Sequence, residues 1–512
     1  MASRRDELNA YTFAKKRTVA AFLQPSPSGT EEGAPKPLRA VVPGLIIGAL
    51  VLAGFGAWGM FKPSAPKGWD KPGTKVIVGK QSTTRYVVLT TGTGKNRKTL
   101  LHPVLNLASA RLLLNPDDFQ VIQVDDSELD KGKPPRGPIL GIPYAPDRLP
   151  GAEDAGTAKR WAVCEQPGGG NGGGVQKATF LFAKRDLGRT DDKSKLSPGQ
   201  VLYVKGQKAS AQYLVDDKGV KYRINEKATN LTLTLFGDKQ PQQVTDDWLA
   251  TLKTGTPIDY PVIPGPVGTD AGVNGGLSEA QDRVGMVLRA KTGAGPQDYV
   301  VLQGKVQPVS AFTAWLLINS PQEGKPDMKG ERSDVDLNKI PPADGTFAAD
   351  RDWPTRQSEL VNSSGVAGAR DTLCSVLEKV DGKGGTTLST WAGTKYPADI
   401  TAGGTSTYVT PGTGLLYTQV QGKQSAPGGS LFLVTDTGLR YAMQANGDSD
   451  KGRSEIGAAE QKQNDGRPEP TDAQKRLGYE KVTPVLVPME WSEFLSKGPR
   501  LDTNSARQPQ GS

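Results

Sequence analysis

One stretch constrains this chain more than any other: AVVPGLIIGALVLAGFGAWGMF, Ala40 to Phe61, which holds no charged residue. About 20 apolar residues rising 1.5 Å each cross the hydrocarbon of a bilayer, so the run predicts a transmembrane helix over 40–61. Pro43 falls in its first turn, where a missing N–H costs least. Trp58 sits near the far end, where an amphipathic ring suits the interface. The glycines Gly44, Gly48, Gly54, Gly56 and Gly59 permit close packing against other helices. A secretory signal peptide has a shorter apolar region placed nearer the N-terminus, and a core helix needs a polar face that this one lacks. Arg4, Arg5, Lys15, Lys16, Arg17, Lys36 and Arg39 precede the run, whereas Lys62, Lys67 and Lys71 follow it. That excess places the N-terminal side in the cytosol and about 450 residues outside the membrane.

The mean hydropathy of −0.46 describes a soluble exterior portion, and its length accommodates several domains. The 62 glycines and 39 prolines imply many turns. The formal net charge of +9 is spread along the chain without a basic stripe carrying interleaved aromatics, which argues against nucleic acid as a partner. Part of the excess lies in the cytosolic arm, where it favours anionic headgroups. Two cysteines, Cys164 and Cys374, both fall outside the membrane. An even count in an oxidising compartment argues for a disulfide, which would close a loop worth on the order of 4–5 kcal/mol. Two free thiols are the alternative.

Internal repetition organises the exterior portion. YVVL at Tyr86–Leu89 precedes LLHPVLNLASARLLL at Leu100–Leu114, and YVVL recurs at Tyr299–Leu302 before VQPVSAFTAWLLI at Val306–Ile318. Each pair reads as a strand, a Pro-Val start and an apolar helix. YLVDDKGVKYRI (Tyr213–Ile224) and FLVTDTGLRYAM (Phe432–Met443) read as hairpins. WLATLKTGTPID (Trp248–Asp259) and WSEFLSKGPRLD (Trp491–Asp502) follow them in identical register. Each predicts a short amphipathic helix ended by Gly255 or Gly498 at C′. Cys164 lies 78 residues after Tyr86 and Cys374 lies 75 after Tyr299. Equivalent cysteines in two half-units can bond across a pseudo-twofold axis.

The expected fold is α+β. One N-terminal transmembrane helix is followed by an elongated extracytoplasmic domain of four repeat modules around a central β-rich domain with pseudo-twofold symmetry. The expected boundaries are a cytosolic amphipathic arm (1–39), the span (40–61), a tether (62–73) and repeat module 1 (74–120). The first half of the central domain (121–200) and repeat modules 2 (201–264) and 3 (265–320) follow. The second half of the central domain (321–412), repeat module 4 (413–502) and a disordered tail (503–512) complete the chain. In the arm, Leu8, Tyr11, Phe13, Val19, Phe22 and Leu23 give an imperfect apolar face. Pro25–Pro37 reads as a flexible linker, and Asp450–Lys475 as a mobile loop.

Catalytic chemistry finds little support. The single histidine, His102, lies between Leu101 and Pro103 in an apolar stretch, and no GxSxG elbow surrounds a serine. One histidine and two distant cysteines are too few for zinc. The stretch NGDSDKG at Asn446–Gly452 lacks calcium-loop spacing. GTGKN at Gly92–Asn96 has Leu89 where a phosphate loop needs its first glycine and no hydroxyl after Lys95. The pairs Asp125–Asp126, Asp191–Asp192 and Asp216–Asp217 are adjacent residues, which face apart in a strand. No catalytic, cofactor-binding or metal-ligating residue is assigned, and no cofactor is expected.

These blocks together resemble EccB, the single-pass membrane component of the type VII (ESX) secretion system. The matching stretches are YTFAKKR (Tyr11–Arg17), WDKPGTKVIVGKQSTTRYVVL (Trp69–Leu89), LHPVLNLASARLLL (Leu101–Leu114), GPILGIPYAPDRLP (Gly137–Pro150), Trp161–Cys164 and VPMEWSEFLSKGPRLD (Val487–Asp502). They cover nearly the whole chain. The resemblance implies a core subunit of an inner-membrane machine with four repeats about a central, disulfide-bearing domain. Its implied partners are an EccC-type motor ATPase, EccD, EccE and a mycosin protease, within a hexameric, self-associating complex that also contacts membrane lipid. Tyr11, Phe13, Lys15, Lys16 and Arg17 are the expected partner-docking residues, and the plasma membrane the expected location. ATP hydrolysis is attributed to some members of the family. A membrane-tethered cell-wall-binding protein and a membrane-bound ATPase are the competing readings.

Overall fold

The computed structural model describes residues 3–23, 38–60, 65–92, 97–168, 174–208, 210–328, 330–341, 344–362, 369–400, 406–421, 429–443 and 470–510. The linker Pro25–Pro37, the motif residues 93–96 and Asn446–Gly452 lie outside them.

Two helices lead the chain, Arg4–Leu23 and Leu38–Met60. Within the second, Val41–Trp58 has mean hydropathy 2.1 and is nowhere buried in the protein. At 1.5 Å per residue its 23 residues reach about 35 Å, enough to cross a bilayer. The helix begins before the apolar run, so Pro43 stands in its second turn rather than its first and withholds one N–H from the carbonyl four residues back. The first helix buries nothing. Leu8, Tyr11, Val19 and Phe22 share one stripe at spacings of three and four, but Lys15 interrupts that stripe and Phe13 lies off it, so the helix is less one-sided than expected.

Five sheets follow. The central one has the order Thr386–Gly393, Thr372–Val380, Arg160–Pro167, Val175–Phe182, Thr407–Val409. Its middle strands are antiparallel and in register at Cys164 and Cys374. The two cysteines are disulfide-bonded, with Cα atoms 4.0 Å apart across a separation of 210 residues. Period-two alternation splits this sheet into two buried faces. Ala162, Cys164, Phe180, Phe182, Cys374 and Val376 line one face, and Trp161, Val163, Leu181, Leu373 and Leu377 the other.

The outer sheets arise in chain order. The first runs Lys98–Val104, Arg85–Thr91, Lys75–Gly79, Gln120–Val124, and the third runs Lys305–Val309, Gly295–Leu302, Val287–Thr292, Ser333–Asp334. The second runs Gln242–Val244, Gln200–Gly206, Gln212–Val215, Val220–Arg223, Lys253–Thr254. The fourth runs Val485–Pro488, Leu415–Val420, Leu431–Val434, Leu439–Ala442, Ser496–Lys497.

Packing joins them in pairs. Helix Leu107–Leu113 of the first unit buries Ala108, Ala110 and Leu112 against Leu416, Leu433, Tyr441 and Met443 of the fourth. Helix Ala311–Ile318 of the third unit packs Phe312 and Leu316 against Tyr203, Leu214 and Tyr222 of the second. Helices this short are marginal alone, so tertiary burial stabilises them. The second and fourth sheets then share one face of the central sheet, into which Trp248 and Trp491 both insert beside Trp161 and Val163.

Several expectations change. The Pro-Val stretches end strands instead of starting helices. Pro103 and Pro308 lie in Lys98–Val104 and Lys305–Val309, which end the ordered rows of their sheets, where a missing N–H is tolerated. The helices begin after their caps, Asn106 accepting from the Ser109 amide and Ser310 from the Thr313 amide. Gly255 and Gly498 are not C′ residues. Helices Asp246–Ala250 and Met489–Ser492 end earlier. A Cβ on Gly255 would stand 2.4 Å from the Tyr222 ring, and one on Gly498 2.5 Å from the Tyr441 ring; glycine is there for close approach.

Most of the tether is docked. Ala65 and Trp69 pack on the first sheet, the Gly73 amide donates to Val88 O at 2.8 Å, and Lys75 Nζ donates to Gly68 O at 2.7 Å. The boundary at 120 cuts the strand Gln120–Val124, which is parallel to Lys75–Gly79. The boundary at 320 excludes Ser333–Asp334, which pairs with Leu288 and Arg289. The expected mobile loop ends in the ordered helix Asp472–Leu477, which buries Ala473 and Leu477. The tail is ordered through residue 510. Helix Thr503–Ala506 is capped by Asp502 and buries Ala506, and the Gln510 amide donates to Ile139 O at 2.8 Å.

Two measurements test this packing. C164A combined with C374A should lower unfolding stability by about 2–5 kcal/mol in denaturant titration. G255A and G498A should each cost about 1–3 kcal/mol by overpacking, while G382A, which meets open space, should leave the midpoint unchanged.

Candidate functional site

The residues expected to carry function separate into two places. Tyr11, Phe13, Lys15, Lys16 and Arg17 lie together on the exposed first helix, with Tyr11 72% and Phe13 49% exposed. Cys164 and Cys374 lie at the opposite extreme, fully buried in the central sheet. The structure brings no contact between these two sets.

Around the disulfide the side chains form a latch. Glu165, next to Cys164, is fully buried. Its carboxylate accepts from the Thr245 amide at 2.8 Å and from the Thr245 hydroxyl. Thr245 in turn caps helix Asp246–Ala250, accepting from the Trp248 amide. Trp248 Nε1 donates to Val163 O at 3.0 Å. One strand therefore holds both ends of the turn that seats Trp248, tying the second unit to the centre. Burial pushes the Glu165 carboxyl above its usual range, against the two Thr245 hydrogen bonds, which favour the ionised form.

On the fourth unit, Tyr417 meets Trp161 edge-on at 5.9 Å. Its hydroxyl and Ser492 Oγ are 2.7 Å apart, and Arg440 donates to that Ser492 oxygen at 2.6 Å. A second polar cluster ties the central strands to their loop. Arg160 pairs with Asp191 at 2.5 Å and Glu378 at 2.7 Å, and Lys195 reaches the same two carboxylates at 2.9 and 2.8 Å. Burial acts to raise the Asp191 carboxyl, but Arg160 and Lys195 leave it below its usual value. The first and fourth units are stitched reciprocally. Arg111 donates to Leu477 O at 2.8 Å, Arg476 to Leu114 O at 2.6 Å, and Tyr479 to Pro150 O at 2.8 Å.

The remaining candidates have structural places. His102 is buried, with Nδ1 2.9 Å from Pro138 O, and a Cβ on Gly137 would collide with its ring. It pins the loop that covers the first sheet's edge; on the third sheet Gln307 donates to Asp344 O at 2.8 Å. The segment after Gly92 joins Arg85–Thr91 to its antiparallel neighbour Lys98–Val104, whereas a phosphate loop joins a strand to a helix N-terminus. Asp126 accepts from the Gln81 and Ser82 amides, and Asp216 from those of Lys218 and Val220. Both carboxylates are occupied in turns. Sequence reasoning missed Glu165, Thr245 and Arg160. The signal for Thr245 was a capping residue just before an acidic first turn; Glu165 and Arg160 had none, since their partners are distant in the chain.

The family model for the type VII secretion system ESX-1 transport TM domain B matches residues 1–511. Among curated proteins, "ESX-3 secretion system ATPase EccB3" of Mycolicibacterium smegmatis is 29% identical over 426 residues, 79% of this chain and 75% of that protein. Its namesake in Mycobacterium tuberculosis is 27% identical over 460 residues, 86% and 80% of the two chains. Among solved structures, a chain of an intact ESX-5 inner membrane complex aligns at TM-score 0.56 and 21% identity, covering 100% of this chain and 96% of that one. The EccB3 dimer of the ESX-3 core complex aligns at TM-score 0.53 and 24% identity, covering 85% and 99%. These structures share the fold.

The latch makes a pH-dependent prediction. A carboxyl raised by burial contributes stability that is complete below its unfolded value, about pH 4.3, and is lost as pH rises through the raised folded value. Unfolding stability of the native protein relative to E165Q should therefore fall as pH rises from about 4.3 through the raised folded value in denaturant titrations. A difference that is flat or grows with pH contradicts the assignment.

Proposed function

The chain belongs to the EccB family of type VII secretion, and from that premise we propose that it is a structural core subunit of an ESX inner-membrane complex. In this reading the basic arm stays in the cytosol and docks a motor ATPase through Tyr11, Phe13, Lys15, Lys16 and Arg17. The body lies outside, in contact with further copies and with EccD, EccE and mycosin partners. The Lys and Arg excess before the span supports that orientation, and the first helix, none of whose residues is buried, supports a docking role.

The observation that carries the proposal is mechanical. The span, the one such helix among the described residues, continues into a body whose first unit clasps its fourth, whose third clasps its second, and whose centre is disulfide-stapled. We read this as a duplication, with two half-units related by an approximate twofold through the central sheet. Such a body transmits displacement of the span without deforming, because packed cores resist strain. Removing residues 1–39 should leave the body's unfolding transition unchanged while abolishing co-purification with the cytosolic motor. Full recovery of the complex with the arm-less protein would refute the docking role.

The curated relatives carry "ATPase" in their names, which favours a second reading as a nucleotide hydrolase. The strand-to-strand setting of Gly92 does not supply the helix N-terminus that binds phosphate. ATP turnover by purified residues 62–512 should match a K95A control at background level. Lys95-dependent turnover would establish the enzyme instead.

A further inference from the structure

We propose that the outer layer of the first unit is a bilayer-contact surface that docks on anionic phospholipid headgroups.

The chain leaves the span helix at Met60, and Ala65 is already packed on the first sheet. The intervening residues reach at most about 18 Å even when fully extended. The first sheet has two faces. Val76, Val87 and Val104 point towards helix Leu107–Leu113 and the fourth unit. Ile77, Tyr86, Val88 and Leu101 point the other way, beneath Ala65, Trp69 and Leu129. The chain thus arrives from the membrane on one face of the sheet, while the rest of the body packs on the other. The covering layer, residues 65–73 and 126–136, is placed between sheet and bilayer.

Charge on this layer is sorted. Its carboxylates are mostly engaged within the protein. Asp125 pairs with Lys80 at 3.0 Å, Asp126 accepts from the Gln81 and Ser82 amides, Glu128 pairs with Lys131 at 2.6 Å, and Asp130 with Arg136 at 2.7 Å. Lys67, Lys71 and Lys133 are exposed and make no ion pair among the described residues; of the layer's two exposed carboxylates, Asp70 and Asp130, the second is held by Arg136. Free ammonium groups within about a Debye length of a phosphate surface are drawn to it. Trp58, 74% exposed at the end of the span, suits the same interface. Docking would fix the tilt of the body on its anchor and carry movement of the span into the first unit.

The full-length protein in nanodiscs tests this. Discs of pure phosphatidylcholine are compared with discs containing phosphatidylglycerol, and lysine acetylation rates are read by mass spectrometry. Lys67, Lys71 and Lys133 should label at least threefold more slowly in the anionic discs, while Lys291 and Lys305, on the third sheet, label equally in both. Equal rates at the three lysines, or equal slowing at the two controls, would overturn the proposal. So would protection reproduced in phosphatidylcholine discs by inorganic phosphate, which would make the surface a small-anion site.

Discussion

The pairing of Arg160–Pro167 with Thr372–Val380 is the contact on which the rest of the body depends. These strands are brought together from far apart in the chain, so closing that loop is entropically costly. The register that places Cys164 opposite Cys374 also sets every neighbouring side chain on its face. One face then accepts Trp248 and Trp491 from two different units. The other holds the disulfide among Phe180, Phe182, Tyr396 and Tyr408. A one-residue slip would turn each of these sets towards the wrong layer.

From that centre the units are held by exchange of helices, not by their own hairpins. Short helices from the first and third units complete the cores of the fourth and second. The helix Thr503–Ala506 buries its last residue within the first joint, so the segment that follows the first helices and the last helix meet there. Polar groups follow the same logic. Glu165 holds a helix cap, Arg160 and Lys195 share two carboxylates, and Arg111 and Arg476 satisfy each other's helix-end carbonyls.

These roles account for most of the titratable groups that sequence reasoning weighed for catalysis. His102 pins a loop, Asp126 and Asp216 order turns, and Asp191 balances two cations. On the span, Gly44, Gly48, Gly54 and Gly56 face open space, which leaves room for close approach of other helices. An anchored, internally clasped body with a docked tether fits a component that scaffolds and transmits.

Local chemistry was legible in the order of residues alone. Twenty-two uncharged residues define a span, Asp-Lys-Gly and Asp-Thr-Gly define hairpins, and the placement of two cysteines anticipated their bond. Tertiary structure decided what depends on distant partners. Gly255 and Gly498 look like helix stops, yet the rings of Tyr222 and Tyr441 require them. Pro103 looks like a helix start, yet it can end a strand because its strand lies at a sheet edge. Residues 65–73 and 503–510 are polar enough to pass for tether and tail, yet each gains a few buried anchors and backbone hydrogen bonds from the first unit. Local propensity measures the cost of ordering such segments, and only the assembled surfaces supply the burial that offsets it.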